Sequence, residues 1–292
     1  MKFLYIVLLT TVPLFSGIAQ TSIDSTPHFV FLPPGLHFAP LKAHIEEPRI
    51  GVFKFLDASN MKVDIGNTID VFGFNFPSSS MRITAGIDFM AYAFVTGTQG
   101  LRLQIDAIDG FFGGNVSVSK KFNHEHLQAR LRILHHSAHL VDGHYIQSTQ
   151  SWLDNRAPIA FTKDYGELII AHVSAPSFGI VRSYAGIGYA TLVRPSAVQR
   201  FAYLGGIECA LNNLVGPLFQ HPSNVFCAYN ISLTGTPAYA ATHQLQAGIK
   251  FGEWFEKGVT LYLAYYNGRH MFAEYFDERQ TTIGIGFTVD FF

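Results

Sequence analysis

Charge is scarce in this chain. Only 14% of its 292 residues are Asp, Glu, Lys or Arg, while 48% are hydrophobic and 14% aromatic. An ordinary soluble domain carries about 25% charged residues. A water-exposed fold this poor in charge would present large apolar patches, so a soluble globule is disfavoured. The net charge of −1 argues against a nucleic-acid partner. Long apolar runs are also missing. Beyond residue 20 no stretch reaches the roughly 18 apolar residues of a spanning helix. Cysteine is limited to Cys209 and Cys227, too few for a disulfide scaffold or a thiolate metal centre. They flank the connection around Pro217-Leu218 symmetrically. They read either as two small apolar wall residues or as a cross-strand disulfide.

What the chain has instead is alternation. At its C-terminal end Ile283, Ile285, Phe287, Val289 and Phe291 share one face, and Thr282, Gly284, Gly286, Thr288 and Asp290 the other. Successive strand side chains point to opposite faces, so such a sheet is greasy on one side and small or polar on the other. A terminal aromatic after such a strand is how outer-membrane barrels finish. The abundance of Phe (27) and Tyr (13) over Trp (2) suits aromatic girdles.

The other end agrees. Met1-Lys2, an apolar stretch over 3–15 and the small-x-small site Gly17-Ile18-Ala19 predict a signal peptide over 1–19. Residues 20–47, with Pro27, Pro33, Pro34 and Pro40, predict an irregular lead, periplasmic or tucked into the barrel mouth. Residues 48–292 are the expected barrel domain. Twelve strands are predicted, at 49–55, 61–74, 81–95, 111–122, 127–137, 167–173, 179–192, 199–211, 224–233, 242–251, 259–266 and 281–292. The alternating run 101–107 is left out, because including it breaks the even count of a single-chain barrel. The fold class is thus all-β, a transmembrane antiparallel up-and-down barrel in the outer membrane. The connection at 212–223 is longer than a periplasmic turn should be.

One segment could carry chemistry. In 127–139, Leu127, Ala129, Leu131 and Ile133 form the apolar face, which His135, Ser137 and His139 continue. Arg130, Arg132 and His136 fall on the lumen face. Lipid-facing polar side chains are costly unless they sit at the interface or have partners. A His two residues before a Ser on that face resembles the catalytic strand of outer-membrane phospholipase A and of the lipid A deacylase barrel. There the His is general base for the Ser nucleophile. The bland alternative is an interfacial rim. A triad also needs an orienting acid or amide, with Asp142, Gln147, Asn155 and Glu167 as candidates. Asp142-Gly143 also reads as a hairpin turn. A metal site is disfavoured, since His135 and His139 stand about 13 Å apart on a strand, and His124, His126 and His144 lie elsewhere. Asp88, Arg182, Arg200, Glu208 and Lys250 join Arg130 and Arg132 on polar faces. They read as a paired network filling a narrow barrel, or as a pore lining.

Three segments resemble the bacterial outer-membrane family catalogued as domain of unknown function 1207. They are Phe31-Leu32-Pro33-Pro34-Gly35-Leu36-His37-Phe38-Ala39-Pro40-Leu41-Lys42-Ala43 with Glu47-Pro48-Arg49, then 129–140, then Tyr265-Tyr266-Asn267-Gly268-Arg269 with Ile283-Gly284-Ile285-Gly286-Phe287. The resemblance implies an outer-membrane β-barrel and no activity. The chain departs from the family pattern R-L-x-x-x-H-x-S-S-H-L-G-D-E. Ala138 replaces the second Ser, Val141-Asp142-Gly143 replaces G-D-E, and Phe292 lies one residue past the apolar-face aromatic Phe291.

The leading expectation is a barrel with a structural or small-pore role. The alternatives are a lipid-modifying hydrolase using His135 and Ser137, and an anion channel using Arg130 and Arg132. Expected partners are membrane lipids, the barrel-assembly machinery and, on the pore reading, a small solute. No cofactor is expected.

Overall fold

The computed structural model describes residues 26–98, 102–123, 125–212, 214–218 and 220–292. The signal peptide expected over 1–19 lies outside them. The strands are β1 (His28–Phe31), β2 (Ile50–Phe55), β3 (Asn60–Phe76), β4 (Met81–Thr98), β5 (Arg102–Phe122), β6 (Glu125–Leu140), β7 (Tyr145–Ile146), β8 (Ser151–Trp152), β9 (Phe161–Ser174), β10 (Gly179–Arg194), β11 (Phe201–Asn212), β12 (Ser223–Gly235), β13 (Tyr239–Phe251), β14 (Gly258–Arg269) and β15 (Arg279–Asp290). No helix among the described residues is long and apolar enough to cross a membrane.

Twelve strands, β2–β6 and β9–β15, close an antiparallel up-and-down barrel. The seam is β15 on β2, with Val289 opposite Ile50. Closure pairs every wall strand on both edges, which an apolar surroundings demands. β7 and β8 form a small hairpin in the long connection 141–160. β1 adds to the lower edge of β3, His28 opposite Asn75.

Period-2 alternation decides the two faces. Ile133 (68% exposed), Phe89 (60%) and Ile283 (42%) point outward, whereas their neighbours Arg132 (0%), Asp88 (2%) and Thr282 (3%) point inward. Apolar outside and polar inside is the inverse of a soluble sandwich, and is what a bilayer around a charged lumen requires.

Of the run 101–107, residues 102–107 belong to β5 and are not an extra strand, and Leu101 lies outside the described residues. Phe94 pairs with Ala107 and Val95 with Ile105, so Asp106 is an inserted residue. This bulge shifts the phase of alternation and splits one long strand into two apparent runs. β9 begins at Phe161, six residues before the predicted start. The long connection between β11 and β12 folds back on itself, with Leu218 and His221 exchanging backbone hydrogen bonds and Ser223 Oγ donating to Gly216 O. Cys209 and Cys227 face each other across β11 and β12 as free thiols.

Candidate functional site: a plugged lumen and a polar patch on the outer wall

The lead occupies the lumen. It enters at the short-turn end, where Leu32 N donates to Val71 O and His37 N donates to the Asp70 carboxylate at 2.8 Å. It crosses to the far wall. There the Arg182 guanidinium donates to Ala39 O (2.8 Å) and Pro40 O (2.9 Å), Lys42 N donates to Glu208, and Lys42 Nζ reaches Asp290 at 3.0 Å. It then returns to the near wall, where Glu47 receives both arms of Arg130 and Tyr92 Oη donates to Glu47 O. Leu41, Ala43 and Glu47 are fully buried. Prolines suit this path, since they hold an extended chain with few N–H groups to satisfy.

Arg130, Arg132 and His136 face inward. Arg132 donates through Nε and a terminal nitrogen to Glu167, and through the other to Glu46 O at 3.0 Å. Arg130 is neutralised by Glu47, Arg182 by Glu208, and Lys250 shares Asp290 with Lys42. This corrects the anion-channel expectation, because the two arginines offered for selectivity are already paired. Arg200 is corrected as well. It stands at the rim, donating to Ala190 O and Thr191 O. Glu167, offered as a triad acid, belongs to the lumen.

The long-loop end is capped. In the 270–278 connection Phe272 is fully buried, Ala273 N donates to Asp109 at 3.0 Å, and Phe272 packs on Phe94 at 5.1 Å. Between lead and cap lies a cavity of about 160 Å³, bounded by residues that include Glu46, Tyr92, Asp109, Phe111 and His136. His136 stacks on Phe111 at 3.8 Å and bonds Asp109 through Nε2 at 3.1 Å.

Burial pushes His270 in the cap and His37 in the lead down to about 4. Burial alone would raise Glu46 and Glu47. Lys163 and His136 overcome it for the first, Arg130 and Arg132 for the second, and each carboxyl is held at about 2. All four folded values are depressed, so the unfolded chain binds more protons and acid destabilises. The histidine contributions are complete above about pH 6.5 and fall away towards pH 4. Those of the glutamates begin to fail near 4.5 and are gone at about 2. Hydrogen exchange should therefore show the cap and the His37 end of the lead losing protection first, and residues 46–47 only in stronger acid. The same order at every pH would contradict this assignment.

On the outer wall His135, Ser137 and His139 share a face. His135 Nδ1 meets Asp164 Oδ1 on β9 at 2.6 Å and its ring packs on Phe112. Ser137 Oγ meets His139 Nε2 at 3.3 Å, not His135. Gly110 on β5 faces Ser137 and leaves its hydroxyl open on that side. Asp164 escaped the sequence reading because β9 appeared to start at Glu167, which placed it in a loop. Glu46 and Glu47 escaped because nothing local says where an irregular lead goes. No hydrogen bond joins Gln147 or Asn155 to this patch among the described residues. Asp142 and His144 bound a single 3-10 turn in place of the hairpin turn expected at Asp142-Gly143. No group of three metal-ligating side chains occurs among the described residues.

Among solved structures the chain is similar to the Pseudomonas putida toluene transporter TodX, at 12% identity and TM-score 0.40, over 80% of this chain and 69% of that one. It is also similar to the beta domain of the Bordetella autotransporter BrkA, at 13% identity and TM-score 0.39, over 84% and 99%. Comparison with curated proteins finds no match. The chain belongs to the family described as protein of unknown function DUF1207, which it matches over residues 37–291.

Proposed function

We propose that this chain is an integral outer-membrane barrel whose lumen is a plugged, gated conduit for a small solute. With the short turns in the periplasm, the lead enters from the periplasmic side and the 270–278 cap lies outside. The observation that carries the reading is the chemistry of the plug contacts. Beside apolar packing of Phe38 and Leu41 on Ile169, Ala171 and Tyr184, residues 37–47 meet the wall through ion pairs and hydrogen bonds to Asp70, Arg130, Arg132, Arg182, Glu208 and Asp290. Such contacts can be exchanged for contacts with water when the plug leaves and the lumen floods, whereas an apolar filler has no such exchange. The test is conductance in planar bilayers. Wild type should be closed with brief openings. A chain lacking residues 26–47, shown to be folded by its heat-dependent gel shift, should conduct steadily. A folded, lead-less barrel that stays sealed would leave only a structural role.

Asp164 favours a second reading, a lipid-ester hydrolase on the outer face. With Nδ1–H donated to Asp164, His135 Nε2 is free to act as base. Rotation of Ser137 from His139 towards His135 would align the pair. Ser137 Oγ would attack the ester carbonyl while His135 takes its proton. The proton would then pass to the departing alcohol, and water would release the acid from the acyl-enzyme. The measurement is mass spectrometry of membrane lipids from cells making wild type, Ser137→Ala or Asp164→Asn. A lysophospholipid or under-acylated lipid A seen with wild type alone would support it. Identical profiles at equal levels of folded protein would remove it.

A further inference from the structure

The cavity above the plug is not walled evenly. On β4, β5, β6 and β9 it meets large inward side chains such as Tyr92, Phe111, His136 and Tyr165. On β10, β11 and β12 the inward lining positions are Gly188, Ala190, Ala202, Leu204, Ser232 and Thr234, all small but Leu204, and the lining there also takes in the outward-facing residues Tyr189, Phe201 and Tyr203. On this side nothing larger than a Thr or Leu side chain separates the cavity from the sheet backbone. The sheet is also irregular at the same place. Gln199 N donates to Gly235 O, and the next paired residues are Tyr203 and Leu233, so residues 200–202 stand against residue 234 alone. Three residues against one leave this stretch of the β11–β12 edge outside the regular ladder. Outside the same stretch lies an aromatic lip. Tyr189 packs on Phe201 at 5.0 Å, Phe201 on Tyr203 at 6.5 Å and Tyr203 on Tyr239 at 6.4 Å.

We infer that the β10–β12 wall near the long-loop end is a lateral portal, through which a small, uncharged, largely apolar molecule passes between the membrane and the luminal cavity. The inference rests on the conduit reading and names its route and its cargo. A space of about 160 Å³ compares with the roughly 150 Å³ that holds one benzene. The aromatic lip is apolar, and the lining balances Lys163, Arg200 and Arg269 against Glu46, Asp109 and Glu167, so it carries no net charge to select a charged cargo. One polar handle is provided. His136 is buried, its Nε2 is committed to Asp109, and its Nδ1 has no partner. With Nε2–H donated to the Asp109 carboxylate, Nδ1 of the neutral ring accepts, so the cargo would carry a single hydroxyl. Phenol-sized alcohols fit this description.

The probe is 4-fluorophenol, followed by fluorine NMR with the full barrel in nanodiscs against empty nanodiscs. Wild type should broaden or shift the signal through exchange with the cavity. Ala202→Trp, which fills the thin wall from inside, should slow that exchange by tenfold or more. Thr234→Phe serves the same end if Ala202→Trp fails to fold. Glu125→Ala, which removes an exposed partner of His172 at the opposite end of the wall, should leave the exchange rate unchanged. Exchange indifferent to both wall substitutions but accelerated by Glu47→Ala would overturn the portal and leave the conduit standing, with entry through the lumen. No exchange in wild type would also overturn the portal. The conduit reading itself would then be judged by the conductance of the lead-less chain.

Discussion

Replacing Glu47 by alanine is expected to unplug the barrel. The side chain is fully buried, receives both arms of the Arg130 guanidinium, and lies 3.8 Å from Arg132. Its removal strands a cation. Arg130 would keep only the Phe38 ring at 4.5 Å and the more distant Glu167 at 3.9 Å, which Arg132 already holds. Breaking a buried pair from one side costs about 3–5 kcal/mol, which is roughly 100- to 4000-fold in the ratio of docked to undocked plug. The loss need not unfold the wall, because the β-ladder bonds are made without Glu47. Planar bilayers should show long openings where wild type shows brief ones, and a protease added on the periplasmic side should cut the lead. Glu125→Ala, which removes an exposed partner of His172, is the control and should change neither readout. Unchanged conductance in Glu47→Ala would mean that the other anchors suffice and that the lead is a permanent filler.

Arg132→Ala is expected to be the most damaging single change in the wall. Arg132 is fully buried and its guanidinium joins three groups, the Glu167 carboxylate, Glu46 O and, at 3.8 Å, Glu47. Without it two carboxylates face each other across a lumen with one cation left between them. A cost of about 3–5 kcal/mol follows from the same reasoning, and it should appear as a lower temperature for the heat-dependent gel shift. The pair can be separated from the site by a double-mutant cycle. Arg132→Met with Glu167→Met removes both charges and keeps the volume, so most of the stability should return. If the double variant is no more stable than Arg132→Ala alone, the arginine acts through packing and the plug contact instead of through its pairing.

Much of this molecule was legible because a strand's alternation is a local property. Side chains at i and i+2 must share a face whatever the rest of the chain does. The inward placement of Arg130, Arg132 and His136 and the outward placement of His135 and Ser137 therefore followed from residues 127–139 alone. The twelve-strand count needed the even number of a single-chain barrel as well, since alternation alone offered the run 101–107 as a thirteenth. The rule faltered where the geometry is not strictly period-2. The inserted Asp106 reversed the phase within β5 and disguised its upper part as a separate run. At 161–166 alternating lumen and surface residues of mixed polarity hid the first half of β9, and Asp164 with it.

Partners were a different matter. His135 meets Asp164 across 29 residues, Arg130 meets Glu47 across 83 and Lys42 meets Asp290 across 248. Each pairing depends on interstrand register or on the route of the lead, and neither is encoded in any short window. Composition and alternation, with the even count a closed single-chain barrel requires, determined the class of fold, its strand count and which side chains face apolar surroundings, since these are decided by sequence neighbours and the solvent they require. Only the closed tertiary structure decided that the lead is the plug, that the lumen arginines are neutralised and that His135 has an acid beside it. Those facts arise from charges brought together by closure, where a buried ion is tolerable only beside its counter-ion.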